Sequence, residues 1–295
     1  MKKDSTKKSE KNNGVFLVAI SAVSFGLIPV FAKVAYSAGT SMYTLLFLRF
    51  LVATFFMFLL MIIRKLPLPS RKETLSFLFL GAFGYAGQVF CYFMALNYAS
   101  ASVVSLILYT YPALVTIGSV IFLKEKVTAL KIVSLILALV GAFVIIGTEF
   151  DASPPGVILS ILSAVVYSIY ILSNSRIVKA GMGIQSSAFT MLGVTIVFGI
   201  MNLFTGFTPP TERDGVVAVL LIAMISTVLA FWSFLTGLEK TGASTAALVS
   251  TLEPMVIILS SIIVLSEKLT VNVVIGGVLV LTALVLTALP EKKNV

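Results

Sequence analysis

Glu253 stands beside Pro254 in the middle of the apolar run 243–265, where no other Asp or Glu occurs. Holding a carboxyl group at such depth is costly, so it is a candidate for exchanging protons or for attracting the amino group of a substrate. The alternative is a structural acceptor for backbone groups that the proline leaves unpaired. Polar aromatic side chains accompany it in other apolar runs. Tyr85, Gln88 and Tyr92 fall on one helical face at i, i+3 and i+7, and Tyr167, Tyr170 and Asn174 share another. Tyr109 and Tyr111 precede Pro112, and Trp232 is the single tryptophan. Rings grouped in this way could stack on an aromatic or cationic ligand, whereas any one aromatic in a helical bundle is more often packing. Lys33 and Arg49 lie near one end of their runs. They would form a basic entrance for a carboxylate, or anchors snorkelling to the interface.

Other chemistry is absent. The chain has no histidine and one cysteine, Cys91, which excludes a His/Cys metal site, a His-dependent triad and an intrachain disulfide. It has no glycine-rich phosphate loop, so ATP-driven transport by this chain alone is not expected, and neither a cofactor nor a metal is implied.

The elements that must position these residues are membrane spans. Of 295 residues 59% are hydrophobic and 11% charged, with a mean hydropathy of +1.09, more apolar surface than a soluble core can hold. Ten stretches reach the roughly 20 residues that cross a bilayer: 14–34, 43–63, 75–97, 101–123, 130–148, 155–175, 184–204, 216–237, 243–265 and 271–289. They lack the alternation of barrel strands and read as helices. Basic residues cluster in the N-terminal tail (Lys2, Lys3, Lys7, Lys8, Lys11), in the second connection (Arg64, Lys65, Arg71, Lys72), in later even-numbered connections and at the C-terminus. The opposite side holds Lys33, Arg213 and Lys268. The positive-inside rule therefore puts both termini in the cytoplasm, consistent with an even number of spans, which keeps them on one side. The net charge of +9 reflects this topology and would favour contact with anionic lipid, and does not point to nucleic-acid affinity. Residues 1–13 read as a disordered basic tail, and the long first span with no small-residue cleavage site does not read as a signal peptide.

The spans repeat. Residues 101–128 recur without a gap as 243–270, an offset of 142 that aligns Pro112 with Pro254 and Glu125-Lys126 with Glu267-Lys268. At the same offset GVFLVAISAV (14–23) faces GVILSILSAV (156–165). Five spans separate the copies, so the second half enters the membrane from the opposite side, a signature of alternating-access transporters. The expected fold is an all-α membrane protein of ten transmembrane helices in two inverted five-helix repeats, 14–148 and 155–289, with short tails at 1–13 and 290–295. Pro112 and Pro254 would kink their spans symmetrically. Glu125 and Glu267 would end spans and pair with neighbouring lysines. The small residues Gly276-Gly277 would serve packing or a dimer face.

The proline-to-Leu-x-Glu-Lys stretches (Pro112 to Lys126, Pro254 to Lys268), Arg49-Phe50, and Tyr92-Phe93-x-Ala95-Leu96 before Ala101-Ser102 resemble the drug/metabolite transporter superfamily, EamA type. The resemblance covers the chain after residue 13. It departs in span 1, where many members carry a tryptophan before the glycine and this chain has Phe25-Gly26, which adds Phe25 to the candidate cavity. The resemblance implies a carrier, not an enzyme, that moves a small metabolite such as an amino acid or a related amphipathic compound across the bacterial cytoplasmic membrane, often outward. Its partners would be the lipid bilayer, the substrate and protons, as a monomer or homodimer. A membrane-embedded enzyme would need clustered Asp, His or Cys near one interface, which the sequence lacks; a sensor or channel is the other alternative.

Overall fold

The computed structural model describes residues 2–95, 98–99, 104, 107–146, 153–178, 181–265 and 271–288. Expectations for Ala101-Ser102, Glu267-Lys268 and the tail 290–295 fall outside these residues. Among the described residues there are helices and no strand. Six helical stretches are long and apolar enough to cross a membrane, and four shorter apolar helices stand where the remaining four expected spans lie.

Span 1 comprises α1 (Lys2–Gly26) and α2 (Ile28–Ser37), broken at Leu27 with a proline in the first turn of α2. The helical backbone of α1 reaches back through the stretch expected to be disordered, since extending an existing helix fixes one residue for each added hydrogen bond. Span 2 is α3 (Met42–Ile63), started by the Ser41 side chain accepting from the Thr44 amide. Span 3 opens with a capping box between Ser70 and Glu73 in α4 (Arg71–Phe79), widens into a π turn at Leu80–Tyr85, and continues as α5 (Ala86–Ala95). In span 4 the chain turns at Tyr109 and Thr110 before α6 (Tyr111–Leu123), and α7 (Ala129–Ile146) forms span 5.

The second half repeats this plan with α8 (Pro154–Ile177), α9 (Gly183–Thr205), then α10 (Arg213–Ala223), a π turn at Met224–Leu229 and α11 (Ala230–Thr241). Span 9 comprises α12 (Ala243–Val249), a 3₁₀ turn at Ser250–Leu252 and α13 (Glu253–Leu265), and span 10 is α14 (Val271–Ala288).

Both repeated prolines depart from the expected kink. Pro112 and Pro254 each fall in the first turn of a new helix, where a missing N–H costs nothing and a fixed φ favours the start. Spans 4 and 9 are therefore discontinuous at matching places.

The contacts between spans obey the exchange of halves. Helix α3 packs on its own counterpart α9, and α7 on its counterpart α14. The pairing of α1 with α11 is mirrored by α8 with α5, and that of α13 with α1 by α6 with α8. Glycines permit the closest approaches. A Cβ at Gly81, inside the first π turn, would collide with the Thr190 carbonyl of α9, and one at Gly141 would lie 2.8 Å from the Gly276 carbonyl oxygen. Gly276 thus packs inside the chain and is not left for a dimer face.

Glu125 joins the halves at one end of the bundle. Its Oε1 accepts from the Ala243 amide at 2.9 Å and its Oε2 from the Ser244 amide at 3.4 Å, so it caps α12 of the other half. The connection before α12 has φ +81° at Gly242, where a Cβ would stand 2.8 Å from Glu125 Oε1. The expected pairing with an adjacent lysine is replaced by two backbone donors, because Lys124 takes a left-handed conformation (φ 56°) that turns the chain out of α6.

Candidate functional site

The two helix breaks meet at a cavity of about 310 Å³. Tyr111 at the start of α6 and Glu253 at the start of α13 both line it, so positions related by the repeat face one space. Phe25, Ile28, Ala32, Lys33 and Tyr36 of span 1 contribute a wall, as do Tyr85, Gln88, Val89, Tyr92 and Phe93 of span 3. Leu108 and Tyr109 of span 4, Tyr167 of α8, Ile257 of α13 and Arg49 of α3 complete it. The volume lies at the small end of ligand pockets and suits a metabolite.

The rings form a connected layer. Tyr111 meets Tyr167 edge-on at 4.7 Å, Tyr85 meets Phe231 at 4.5 Å, and Phe25 meets Phe231 at 5.5 Å. Tyr170 lies behind this layer, stacked on Tyr167 at 6.2 Å and 5.5 Å from Tyr85, and does not line the cavity. Asn174 is also outside it: its Nδ2 donates to the Tyr170 carbonyl and its Oδ1 accepts from Ser186 Oγ. Trp232 is half-buried against the main apolar cluster and does not reach the cavity. Helical periodicity placed Tyr170 and Asn174 on the Tyr167 face, but that face is divided between the cavity and the contact with α9. Gln88 lines the cavity while its Nε2 donates to Ser163 Oγ at 3.2 Å, and Ser163 Oγ donates back to the Gln88 carbonyl.

The two charges at depth differ from their sequence reading in one respect. Arg49 does not snorkel: it is 2% exposed, and its guanidinium points into the bundle. Its Nε donates to Thr227 Oγ1 at 2.6 Å and its Nη2 to the Ser226 carbonyl at 3.2 Å, both in the second π turn. Thr227 Oγ1 in turn donates to the Ile222 carbonyl at 2.8 Å. A π turn shifts the register of the backbone ladder, which is what offers these acceptors inside a span. The guanidinium also lies 4.8 Å from the centre of the Phe50 ring and interacts with the Tyr85 side chain. Tyr85 and Thr227 are related by the offset of 142, so Arg49 bridges equivalent points of the two π turns. Sequence reasoning missed Thr227, and the signal available was that its repeat partner is the cavity tyrosine.

Glu253 is the acidic side chain of the cavity. Among the described residues it makes no hydrogen bond and no ion pair within 4 Å, although it shares the cavity with Arg49 and feels its field. Lys33 and Tyr36, both exposed, mark the open end. At the other end α1, α11, α6 and α8 close tightly: a Cβ at Gly237 would lie 2.6 Å from Val18, and one at Gly118 would collide with Leu172. Among the described residues no group of three or more metal-ligating side chains occurs.

The sequence profile of the EamA-like transporter family matches the chain twice, over residues 12–147 and 154–289. A Bacillus subtilis (strain 168) protein described as uncharacterized transporter YcbK is 28% identical over 92% of this chain and 92% of its own length. An uncharacterized transporter of Archaeoglobus fulgidus is 27% identical over 90% of this chain and 95% of its own. A solved crystal structure superposes with a TM-score of 0.80 at 16% identity, covering 93% of this chain and 96% of that one, which bears on the fold alone. With both halves matched, the chain is a multi-pass membrane protein that belongs to the EamA-like transporter family.

Proposed function

We propose that the protein is a secondary carrier that moves a small amphipathic metabolite, an amino acid or a related compound, out of the cell by alternating access. One observation carries the reading: the two discontinuous helices meet at a single cavity, with repeat-related residues Tyr111 and Glu253 facing it. Broken helices at the interface of inverted repeats offer unpaired backbone dipoles to a substrate and a pivot about which the halves rock. The excess of basic residues on one side supports a cytoplasmic membrane location with both termini inside. In that orientation the described conformation is open outward, because Lys33 and Tyr36 lie on the less basic side and Glu125 on the more basic one. The driving force is the substrate gradient or proton exchange at Glu253. The protein acts without cofactor or metal, as a monomer or homodimer, and performs no covalent chemistry.

Counterflow tests this reading. Vesicles containing the purified protein and loaded with unlabelled amino acids should accumulate labelled substrate transiently, since trans-stimulation needs a site exposed alternately to each side. A channel would equilibrate without overshoot, and an enzyme or sensor would give no uptake; either result overturns the carrier.

A further inference from the structure

Arg49 is a buried cation without a counter-ion in contact. It is 2% exposed, and among the described residues no carboxylate lies within ion-pair distance of it. Glu253 is a carboxylate on the same cavity that is equally without an ion pair. Buried charges are ordinarily paired, because an uncompensated charge away from water is strongly disfavoured. Here two opposite charges share one cavity and are held apart. The holding is specific on the Arg49 side: Thr227 Oγ1 takes Nε at 2.6 Å and the Ser226 carbonyl takes Nη2 at 3.2 Å. A guanidinium has five N–H donors, so this leaves donors free on a group whose direction is fixed. A fixed fork is suited to a planar carboxylate. Thr227 Oγ1 is free to accept the Arg49 Nε–H hydrogen bond because its own hydroxyl hydrogen goes to the Ile222 carbonyl, an acceptor freed by the π turn.

We infer that the substrate is a zwitterion whose carboxylate binds Arg49 and whose ammonium binds Glu253, and that Thr227 is the positioning residue that aims Arg49. This rests on the carrier reading above and narrows its substrate class. The same cavity is lined by Tyr85, Tyr109, Tyr111 and Tyr167, which give an apolar or aromatic side chain a stacking wall. Neither charge is duplicated by the repeat. The counterpart of Arg49 is Met191 and that of Glu253 is Tyr111, so the symmetric scaffold carries one asymmetric pair.

Three probes of one shape separate the two charges: phenylalanine, its amide, which lacks the carboxylate, and 3-phenylpropanoate, which lacks the ammonium. Their dissociation constants are measured on the purified full-length protein in detergent, with counterflow of labelled phenylalanine in parallel. Phenylalanine should bind about tenfold or more tightly than either single-charge probe, as loss of a charge-assisted contact implies. Thr227→Val should weaken phenylalanine and 3-phenylpropanoate by a similar factor and leave the amide nearly unchanged, and Thr227→Ser, which keeps the hydroxyl, should restore both. Equal binding of the amide and the acid, equal weakening of all three probes by Thr227→Val, or no binding of any probe overturns the inference. Selective binding without counterflow would sink the carrier reading and leave the subsite standing. Counterflow without charge selectivity would do the reverse.

Discussion

Glu253 and Tyr111 hold the same place in the two halves, and Glu253 is the one carboxyl group among the residues that line the cavity. If transport is coupled to protons, the coupling passes through Glu253, and Glu253→Gln should flatten the pH dependence of whatever counterflow remains after the loss of the ammonium contact. Wild-type pH dependence retained in the variant would show that another group carries it. Glu253 was legible in the sequence because a carboxylate in the middle of an apolar run is anomalous wherever the chain folds. Arg49 was legible only in part. Its position along span 2 suggested an interface, and what overrides that is Thr227, 178 residues away, which no local pattern reveals. Trp232 shows the converse: a rare residue type drew notice, yet it packs on the apolar cluster away from the cavity.

The elements carry the repeat more faithfully than the residues do. Both prolines open helices, both spans 3 and 8 contain a π turn, and α7 and α14 are each 18 residues long. A break at proline can be anticipated from the missing N–H, but whether it bends a helix or starts one depends on what precedes it, here the turn at Tyr109-Thr110 and the 3₁₀ turn at Ser250–Leu252. The π turns have no common composition, one containing Gly81 and Gly84 and the other neither, so periodicity could not locate them. The Glu-Lys motif was visible as a repeat, while its role emerged from the contact of Glu125 with the start of α12. Removing that cap should loosen the closed end. Glu125→Ala should cost about 0.5–2 kcal/mol, the usual range for a lost N-terminal cap, seen as a lowered melting temperature in detergent. In a Cys91→Ser background, Ser250→Cys should then react faster with a thiol reagent applied to the basic side. An unchanged rate would mean that the cap does not control access.

Over the whole molecule, the repeated Glu-Lys motif supplies a latch between the two halves at one end of the bundle. Glu125 of the first half caps Ala243-Ser244 of the second. In the sequence the offset of 142 pairs Glu267 with Glu125 and Ala101-Ser102 with Ala243-Ser244. Two packings of similar energy related by the repeat are what an alternating carrier requires, since a symmetric scaffold makes the inward and outward states near-equivalent. In the proposed carrier the Glu125 contact would belong to one state only, and freezing it should stop the cycle without emptying the cavity. In the Cys91→Ser background, cysteines at Glu125 and Ser244 bridged by a short bifunctional thiol reagent should abolish counterflow. Binding of phenylalanine from the side that carries Lys33 should persist, and cleavage of the bridge should restore transport. If the bridged protein still shows counterflow, the ends of α6 and α12 stay together through the cycle, and the halves must open elsewhere.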